Sequence, residues 1–247
     1  LGDWHFIFVV LAGYAVFLAM VLQLALFPKL KPRPRATTPV STLVTNYLLV
    51  LRHKTTMRFI GIQVLCFSAM LLFITHSSFI YQEWFGLSNS SFSILFAANI
   101  ALMATLNLIN RPLLRHFHSV VLLRFQVLLQ SLALIGLVTV VALDGPFWAV
   151  AGLIITSVGF QGGIVPNNMA NALDFFPHIG GTAAALLGAS QFTLAGVISA
   201  LSSTFGGESL LPIVASMLAC SAGAALLALG APRAVQREKA RLASKRV

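Results

Sequence analysis

Charged side chains are scarce in this sequence. Only 9% of its 247 residues are charged, whereas about 25% is typical of soluble proteins, and 58% are hydrophobic. The mean hydropathy of +0.90 agrees with this composition. These values exclude a soluble globular domain and predict an integral membrane protein.

Cysteines and intramembrane acids are also few. The two cysteines, Cys66 and Cys220, both lie within apolar runs, which argues against a disulfide framework and against a zinc site. No Asp or Glu occurs in the middle of an apolar run. A principal carboxylate proton carrier is therefore not expected in this chain, and no cofactor or metal site is predicted.

Long apolar runs, by contrast, fill most of the chain. Those long enough to cross a bilayer are seven, at about 4–27, 59–80, 92–109, 120–143, 147–168, 181–205 and 210–231. Each is predicted to be an α-helix, because lipid offers no partner for unpaired backbone N–H and C=O groups. The fold class predicted from these runs is an all-α membrane protein with seven transmembrane helices.

The basic residues are distributed asymmetrically. If the seven helices alternate in direction, all 16 Lys and Arg residues fall on one side of the membrane. They are Lys29, Lys31, Arg33, Arg35, Arg52, Lys54 and Arg58 in the first long loop, Arg111, Arg115 and Arg124 around the next turn, and Arg233, Arg237, Lys239, Arg241, Lys245 and Arg246 in the tail. The positive-inside rule places this side in the cytoplasm. Topology thus explains the net charge of +10, and no nucleic-acid partner is expected.

The opposite side carries acidic and aromatic residues. Asp3, Glu83, Asp144 and Glu208 fall there, together with Trp4, Trp84 and Trp148 at the ends of the helices. Tryptophans at that level are typical of the aromatic belt at a membrane interface. Two independent signals therefore predict a cytoplasmic C-terminus.

Four segments follow from this pattern. Residues 1–27 form one transmembrane helix, residues 28–57 a cytoplasmic loop, residues 58–231 a six-helix bundle and residues 232–247 a basic cytoplasmic tail. The loop starts as a proline-rich basic linker, with Pro28, Pro32, Pro34 and Pro39, and from Val40 onward has the apolar spacing of an interfacial helix. A lone helix, a long loop and six helices are expected if a twelve-helix transporter is cut before its sixth helix. The start without Met or a signal peptide is also expected of a fragment.

Polar residues in the second span give the first candidates for function. They are Gln63, Ser68, Thr75, His76, Ser77, Ser78 and Tyr81. His76 is the only histidine well inside a span, and an intramembrane ionisable group is a functional candidate. Two interpretations stay open: proton coupling by His76, or a structural role in which its ring bonds a neighbouring hydroxyl or meets outside water near the mouth of the helix.

The third span contains Asn99 and Asn107, and a short basic turn follows it. This turn, which contains Asn110, Arg111 and Arg115, can neutralise the helix C-terminal dipoles through its positive charges and gate the cytoplasmic side. The alternative is a simple topology signal.

The fifth and sixth spans combine small residues with amides. Gly159, Gln161, Gly162, Gly163 and Pro166 can loosen the fifth helix, and Asn167 and Asn171 share one face if that helix continues. The asparagines either line a cavity or join helices by hydrogen bonds. In the sixth span Gly181, Ala185 and Gly188 belong to small-residue ladders that predict close helix packing, and Gln191 is a polar candidate one turn further on.

Two stretches carry a family signature. The first comprises Pro166, Asn167, Met169, Ala170, Phe176, Pro177, Gly181, Thr182, Ala183, Ala184, Leu186, Leu187, Gly188 and Gln191. The second comprises Ser77, Phe79, Ile80, Tyr81, Gln82, Gly86, Leu87, Ser88, Phe92, Leu95, Phe96, Ala97 and Asn99. They resemble the tenth-to-eleventh-helix region and the seventh-to-eighth-helix region of the drug:proton antiporters of the bicyclomycin and chloramphenicol resistance branch, within the major facilitator superfamily. The chain departs from that branch at His118, where Gly is usual, and at Ser78, where Pro is frequent.

The resemblance implies helix six, the central loop and the C-terminal six-helix half of an exporter of small hydrophobic drugs or metabolites. Such a protein works by alternating access in the bacterial inner membrane and is driven by protons. Its partners are the lipid bilayer, a hydrophobic substrate, protons and its own N-terminal half, where the main proton site is expected. We expect the wall of the central cavity to contain His76, Ser77, Phe79, Tyr81, Asn99, Gln161, Asn167, Asn171 and Gln191.

Two other classes fit the sequence less well. A self-contained seven-helix receptor or photoreceptor agrees with the number of spans, but the last span has no Lys to hold retinal and no Asp-Arg-Tyr run closes the third. A membrane enzyme would need a catalytic constellation, and His76, Asp174 and His178 form none at a useful spacing. We therefore expect no enzymatic activity.

Overall fold

The structure, a computed structural model, describes residues 4–26, 39–205 and 209–244. Within these ranges the regular elements are helices: α1 (Trp4–Val21), α2 (Val40–Arg52), α3 (Lys54–Ser78), α4 (Asn89–Leu113), α5 (Ser119–Ala142), α6 (Phe147–Gly159), α7 (Gln161–Leu173), α8 (Gly180–Ser202), α9 (Leu211–Leu229) and α10 (Ala231–Ser244). Seven helical stretches in these ranges are long and apolar enough to cross a membrane, which confirms the predicted fold class.

The chain divides into two compact units, residues 1–40 and 41–247. The first unit contains α1, which continues as a π-helical turn over Leu22–Leu26. The second contains the six further membrane-crossing stretches together with α10 and almost all of α2. The helix predicted from Val40 onward is present as α2; its location at the membrane surface stays a prediction.

Several predicted positions lie outside the described residues. They are Asp3, Pro28, Lys29, Lys31, Pro32, Arg33, Pro34, Arg35, Glu208, Lys245 and Arg246, together with the side chain of Trp4. Cys66 is buried, Cys220 is half-buried, and both are free thiols.

The second membrane-crossing stretch is longer than its apolar run. It extends over Lys54–Trp84, and its last turn, Phe79–Trp84, is π-helical. His53 ends the preceding segment and caps α3, because its Nδ1 accepts a hydrogen bond from the backbone N–H of Thr56 at 3.2 Å. The apolar run marks the part of a helix that lies in lipid, whereas the cap decides where the helix begins.

The fifth membrane-crossing stretch is interrupted. A turn at Phe160 separates α6 from α7, although a single run over 147–168 was predicted. Two glycines directly after the turn allow close contacts: a Cβ at Gly162 would lie 1.9 Å from the carbonyl oxygen of Met103, and one at Gly163 would lie 2.2 Å from Nε2 of Gln126. At Gly162 the contact is with backbone and leaves no room for a Cβ, whereas at Gly163 it is with the end of a side chain; α7 thus lies against α4 and α5 there.

The fifth stretch occupies a central position among the helices of the second unit. It packs against α4 and α5, and α7 also contacts α3. In turn, α3 packs against α8 and α9, and α5 packs against α9. Two apolar clusters fill the interior, one around Phe59 and Ile164 and the other around Phe73 and Leu137. The cluster around Phe59 lies at the end of the bundle where the basic loops and α10 are found, called the basic end below.

The predicted basic tail folds into α10 and returns to the basic end. Nζ of Lys239 lies 3.0 Å from Oδ2 of Asp174, at the end of α7. Oε1 of Glu238 lies 3.4 Å from Nε2 of His53, whose ring contacts Phe175 at a centroid distance of 5.0 Å. These contacts join α10 to the start of α3 and to the turn between α7 and α8.

Candidate functional site

A groove runs along α4, where this helix faces α3, α6 and α7. It consists of two adjoining cavities of about 620 and 230 Å³, which share Ile100 and Met103. The other lining residues are Met70, Phe73, Ile74, Phe96, Asn99, Ala104, Asn107, Leu108, Val158, Gln161, Gly162, Val165, Pro166 and Met169. The walls are predominantly apolar with a few amides, which is the usual composition of a small-molecule site. This groove, called the α4 groove below, is the candidate functional site.

Two predicted cavity residues, Asn99 and Gln161, line the α4 groove with fixed amide orientations. Nδ2 of Asn99 donates to the carbonyl oxygen of Leu95 at 2.8 Å, and Nε2 of Gln161 donates to that of Cys66 at 2.6 Å. A carbonyl oxygen accepts only from the amide nitrogen, so these bonds define which way each side chain points. The acceptor oxygens Oδ1 of Asn99 and Oε1 of Gln161 have no hydrogen-bond partner among the described residues.

Tyr81 adds a third unsatisfied group beside Asn99. Its ring is fully buried among Phe73, Phe92 and Phe147, with centroid distances of 6.0 to 6.4 Å. Its hydroxyl lies close enough to the Asn99 side chain to interact with it, although the two groups do not reach the geometry of a regular hydrogen bond. Buried polar atoms without partners are unfavourable, so these three groups mark the polar part of the wall beside the α4 groove.

Phe79 and Ser77 lie elsewhere on α3 and its π-helical turn. The ring of Phe79 contacts that of Trp84 at a centroid distance of 6.2 Å. Ser77 is buried, and its hydroxyl donates to the carbonyl oxygen of Ile74 at 2.8 Å. Neither residue lines the α4 groove.

His76 and Gln191 belong to a polar seam between α3 and α8. Gln63 Nε2 donates to Gln191 Oε1 at 2.8 Å, and Nε2 of His76 lies 2.8 Å from the hydroxyl of Ser202. The hydroxyls of Thr75 and Ser199 are 2.6 Å apart between these two contacts. The Ser202 hydroxyl is therefore the neighbouring group required by the interpretation in which His76 forms a hydrogen bond. Proton coupling by His76 stays a prediction.

Asn167 and Asn110 were predicted for different roles, and the structure brings them together in one amide ring. Asn167 Nδ2 donates to Asn110 Oδ1 at 2.8 Å and to Gln126 Oε1 at 3.0 Å. Gln126 Nε2 donates to Asn110 Oδ1 at 3.0 Å, and Asn110 Nδ2 donates to Asn167 Oδ1 at 3.1 Å. All three side chains are buried. The ring joins α4, α5 and α7, and each of its three side-chain oxygens accepts at least one hydrogen bond.

Asn171 continues the polar contacts toward the basic end. Its Oδ1 accepts from the Ser119 hydroxyl at 3.0 Å, and its Nδ2 donates to the backbone oxygen of Asn167 at 2.7 Å. Arg111 and Arg115, by contrast, are exposed and form no ion pair within the described chain. Of the three predicted gating residues, only Asn110 contacts another helix through a side-chain hydrogen bond.

The small-residue ladder of α8 has no partner in the described part of the chain. A Cβ at Gly181 or Gly188 would meet no atom within 4 Å, and Ala185 is exposed. The buried face of α8 instead carries Ala183, Leu187, Ala195, Ser199 and Ser202. Close packing at the ladder stays a prediction.

Two amides were missed by sequence reasoning. Gln126 was not considered, and Asn107 was noted without a role. Amides in an apolar span signal that partners are needed, but the partner helix depends on how the helices pack. No group of three or more His, Cys, Asp or Glu residues in the described ranges is arranged to hold a metal ion.

A family model described as the Major Facilitator Superfamily matches residues 1–200. The chain belongs to the major facilitator superfamily. This membership assigns it to a family of transporters, and it decides against the membrane enzyme and the receptor considered above. One membrane-crossing helix followed by six agrees with the C-terminal half of a major facilitator protein.

Curated members of the superfamily resemble the chain over most of its length. It is 26% identical over 218 residues to the bicyclomycin resistance protein homolog of Haemophilus influenzae, covering 88% of this chain and 54% of that protein. It is also 26% identical over 201 residues to the uncharacterized MFS-type transporter YdgK of Bacillus subtilis, covering 81% of this chain and 50% of that protein. The chain thus spans about half the length of the curated relatives it matches.

Proposed function

We propose that this chain forms the C-terminal half of a proton-coupled secondary transporter that exports small hydrophobic drugs or metabolites by alternating access. The observation that carries the proposal is the α4 groove with the unsatisfied oxygens of Asn99 and Gln161. The printed name of the Haemophilus influenzae relative, a bicyclomycin resistance protein homolog, supports the substrate class.

The chemistry of the α4 groove suits a hydrophobic molecule with a hydrogen-bond donor. Its apolar walls favour the transfer of apolar surface out of water. The side-chain nitrogens of Asn99 and Gln161 each donate to a backbone oxygen, and their side-chain oxygens have no partner. Both oxygens are buried in this conformation, so the proposal requires the groove to open before a substrate contacts them. A substrate N–H or O–H that reaches such an oxygen removes the penalty of an unpaired buried acceptor, about 1–3 kcal/mol.

The other half of the transporter is proposed to close the cavity from the exposed faces of α4 and α8. Ile94 and Leu108 on α4 are 70% and 72% exposed, and Phe192 and Leu201 on α8 are 64% and 62% exposed. These faces flank α3, which packs between α7, α8 and α9. A second six-helix half would bury them, and it would supply the carboxylate that carries the proton.

The proposed orientation has the C-terminus in the cytoplasm of a bacterium, with the chain in the inner membrane. Support comes from the basic end, which contains the described Lys and Arg residues of the loops and of α10, and from Trp84 and Trp148 at the opposite end. The positive-inside rule relates this asymmetry to the cytoplasm.

A transport assay on the full-length protein tests the proposal. Inverted vesicles with an inside-acid pH gradient are expected to take up at least one small hydrophobic drug from a panel that includes bicyclomycin and chloramphenicol, and a protonophore should stop the uptake. Uptake that persists with the protonophore would rule out proton antiport. If no member of the panel is transported, the proposed substrate class is wrong.

The site itself is tested by Asn99→Leu and Gln161→Leu in the same assay. We expect the KM for the transported drug to rise about tenfold, as the loss of roughly 1.4 kcal/mol of binding free energy requires. Gln130→Leu is the matched control: Gln130 is also buried with a free oxygen, but it bonds Ser157 between α5 and α6 and does not line the α4 groove. An equal rise in Gln130→Leu would show that the effect is not local to the groove.

A further inference from the structure

A second groove lies on the outer surface of the bundle at the basic end. Its volume is about 390 Å³. It is lined by Leu113, Phe117, Val121, Leu122, Arg124, Phe125, Leu128 and Leu229, so the ends of α4 and α9 and the start of α5 form its walls. No residue of the α4 groove takes part. This surface, called the Arg124 groove below, is apolar except for a single cation.

Arg124 has no counter-charge among the described residues. Its side chain is half-buried, and the ion pairs among the described residues involve only Glu238 and Asp174 as acids, with His53, Lys239 and Arg241 as their partners. A guanidinium beside apolar walls loses part of its hydration, and an anion can compensate for that loss. Arg111 and Arg115, which precede and follow the groove residue Leu113 in the sequence, are exposed and form no ion pair within the described chain, so they add positive charge at this end of the bundle.

We propose that the Arg124 groove binds an anionic phospholipid, with the phosphate on the Arg124 guanidinium and one acyl chain along the groove. The walls face outward: Phe117, Phe125 and Leu229 are 52%, 59% and 50% exposed. They lie at the ends of helices of membrane-crossing length, which is the level where phosphate and acyl chain meet.

A phospholipid fits this surface better than a soluble anion or a peptide does. A free phosphate would use Arg124 and leave the apolar walls uncovered, whereas an acyl chain covers them. The guanidinium fork matches phosphate oxygens, and basic pockets between membrane helices are a recognised type of lipid headgroup site. A bound lipid would join α4, α5 and α9 on the outer surface of the half.

Native mass spectrometry of the full-length protein in mixed phosphatidylglycerol and phosphatidylcholine tests the proposal. We expect wild type to retain one phosphatidylglycerol with about fivefold preference over phosphatidylcholine, the ratio that about 1 kcal/mol per basic contact produces. Arg124→Gln should lose this preference. Arg233→Gln is the matched control, since Arg233 is exposed on α10 and unpaired within the described chain, and should keep it.

A second variant tests the groove rather than the charge. Leu128→Trp keeps Arg124 but fills the space of the acyl chain, and it should also lose the retained lipid. Wild-type retention in Arg124→Gln or in Leu128→Trp would overturn the proposal. Equal loss in Arg233→Gln would overturn it too, because it would show a general effect of positive charge. Since these measurements need no transported drug, they fail or succeed independently of the proposed transport activity.

Discussion

Asn107 on α4 donates a hydrogen bond from Nδ2 to the backbone oxygen of Gly162 on α7 at 2.8 Å. In an α-helix this oxygen would accept from the N–H of residue 166, but residue 166 is proline and has no N–H. A side chain of one helix thus satisfies the acceptor that the proline of another leaves free. The bond lies beside a close contact of α7 with α4, at Gly162.

The first prediction concerns this bond. Asn107→Ala in the full-length protein should lower the free energy of unfolding by about 1 kcal/mol, because the Gly162 oxygen loses its donor. Thr105→Ala is the control on the same helix, since the Thr105 hydroxyl bonds only to the backbone of its own helix, and it should change stability by less than about 0.5 kcal/mol. Unfolding in mixed micelles of increasing SDS content measures both.

A rescue experiment separates this mechanism from a general packing defect. In a Pro166→Ala background the N–H of residue 166 can bond to the Gly162 oxygen, so Asn107→Ala should then cost close to nothing. The same cost in both backgrounds would contradict the proposed relationship between Asn107 and Pro166.

The second prediction concerns this close contact of α7 with α4. Gly162→Ala should destabilise the protein by about 1–3 kcal/mol, because the new Cβ would overlap the carbonyl oxygen of Met103, a backbone atom that cannot rotate away. Gly152→Ala in the same membrane-crossing stretch is the control: a Cβ there meets no atom within 4 Å and should be neutral or slightly stabilising. Thermal unfolding in detergent distinguishes them, and similar melting temperatures for the two variants would argue against the close contact.

The third prediction concerns the amide ring. Asn110→Ala and Asn167→Ala should each destabilise by about 1–3 kcal/mol, since each leaves buried partners unpaired. The double variant should cost clearly less than the sum, because both changes remove the two hydrogen bonds between Asn110 and Asn167. Asn110→Ala combined with Gln130→Ala is the matched comparison: Gln130 lies outside the ring, so those costs should add within about 0.5 kcal/mol. Additivity in the Asn110 and Asn167 pair would show that the ring does not act as a unit.

The fourth prediction concerns the attachment of α10. His53→Ala should cost about 1–2 kcal/mol, because it removes the cap of α3 together with the contacts to Phe175 and Glu238. Lys239→Ala removes only an exposed ion pair to Asp174 and should cost under about 1 kcal/mol. His53→Asn should recover part of the loss, since Asn is also a good cap. A larger loss for Lys239→Ala than for His53→Ala in SDS unfolding would mean that the ion pair, not the cap, holds this region.

The helix bounds show which features of the fold the sequence patterns predict and which they do not. Apolar runs predicted the existence and order of the membrane-crossing helices, because each run must satisfy its backbone within one helix. They did not predict the extension to Lys54 and Trp84, the turn at Phe160 or the folding of the tail into α10, since caps and contacts with other helices decide these features. The candidate site divides in the same way: Asn99 and Gln161 line the α4 groove, whereas Asn167 and Gln191, chosen from the same kind of pattern, do not line it and bond to amide side chains of other helices. A contact of any of these residues with a substrate stays a prediction.

The sequence by itself determined that this protein lies in a lipid membrane, how many membrane-crossing helices it has and which family it belongs to. Hydropathy and charge act on each segment separately, so they can be read along one chain. The tertiary structure decided which amides satisfy one another and which keep a free oxygen. That distinction depends on the distance between helices far apart in the sequence, such as the contact of Gly162 with α4 that lets Asn107 reach the oxygen left free by Pro166.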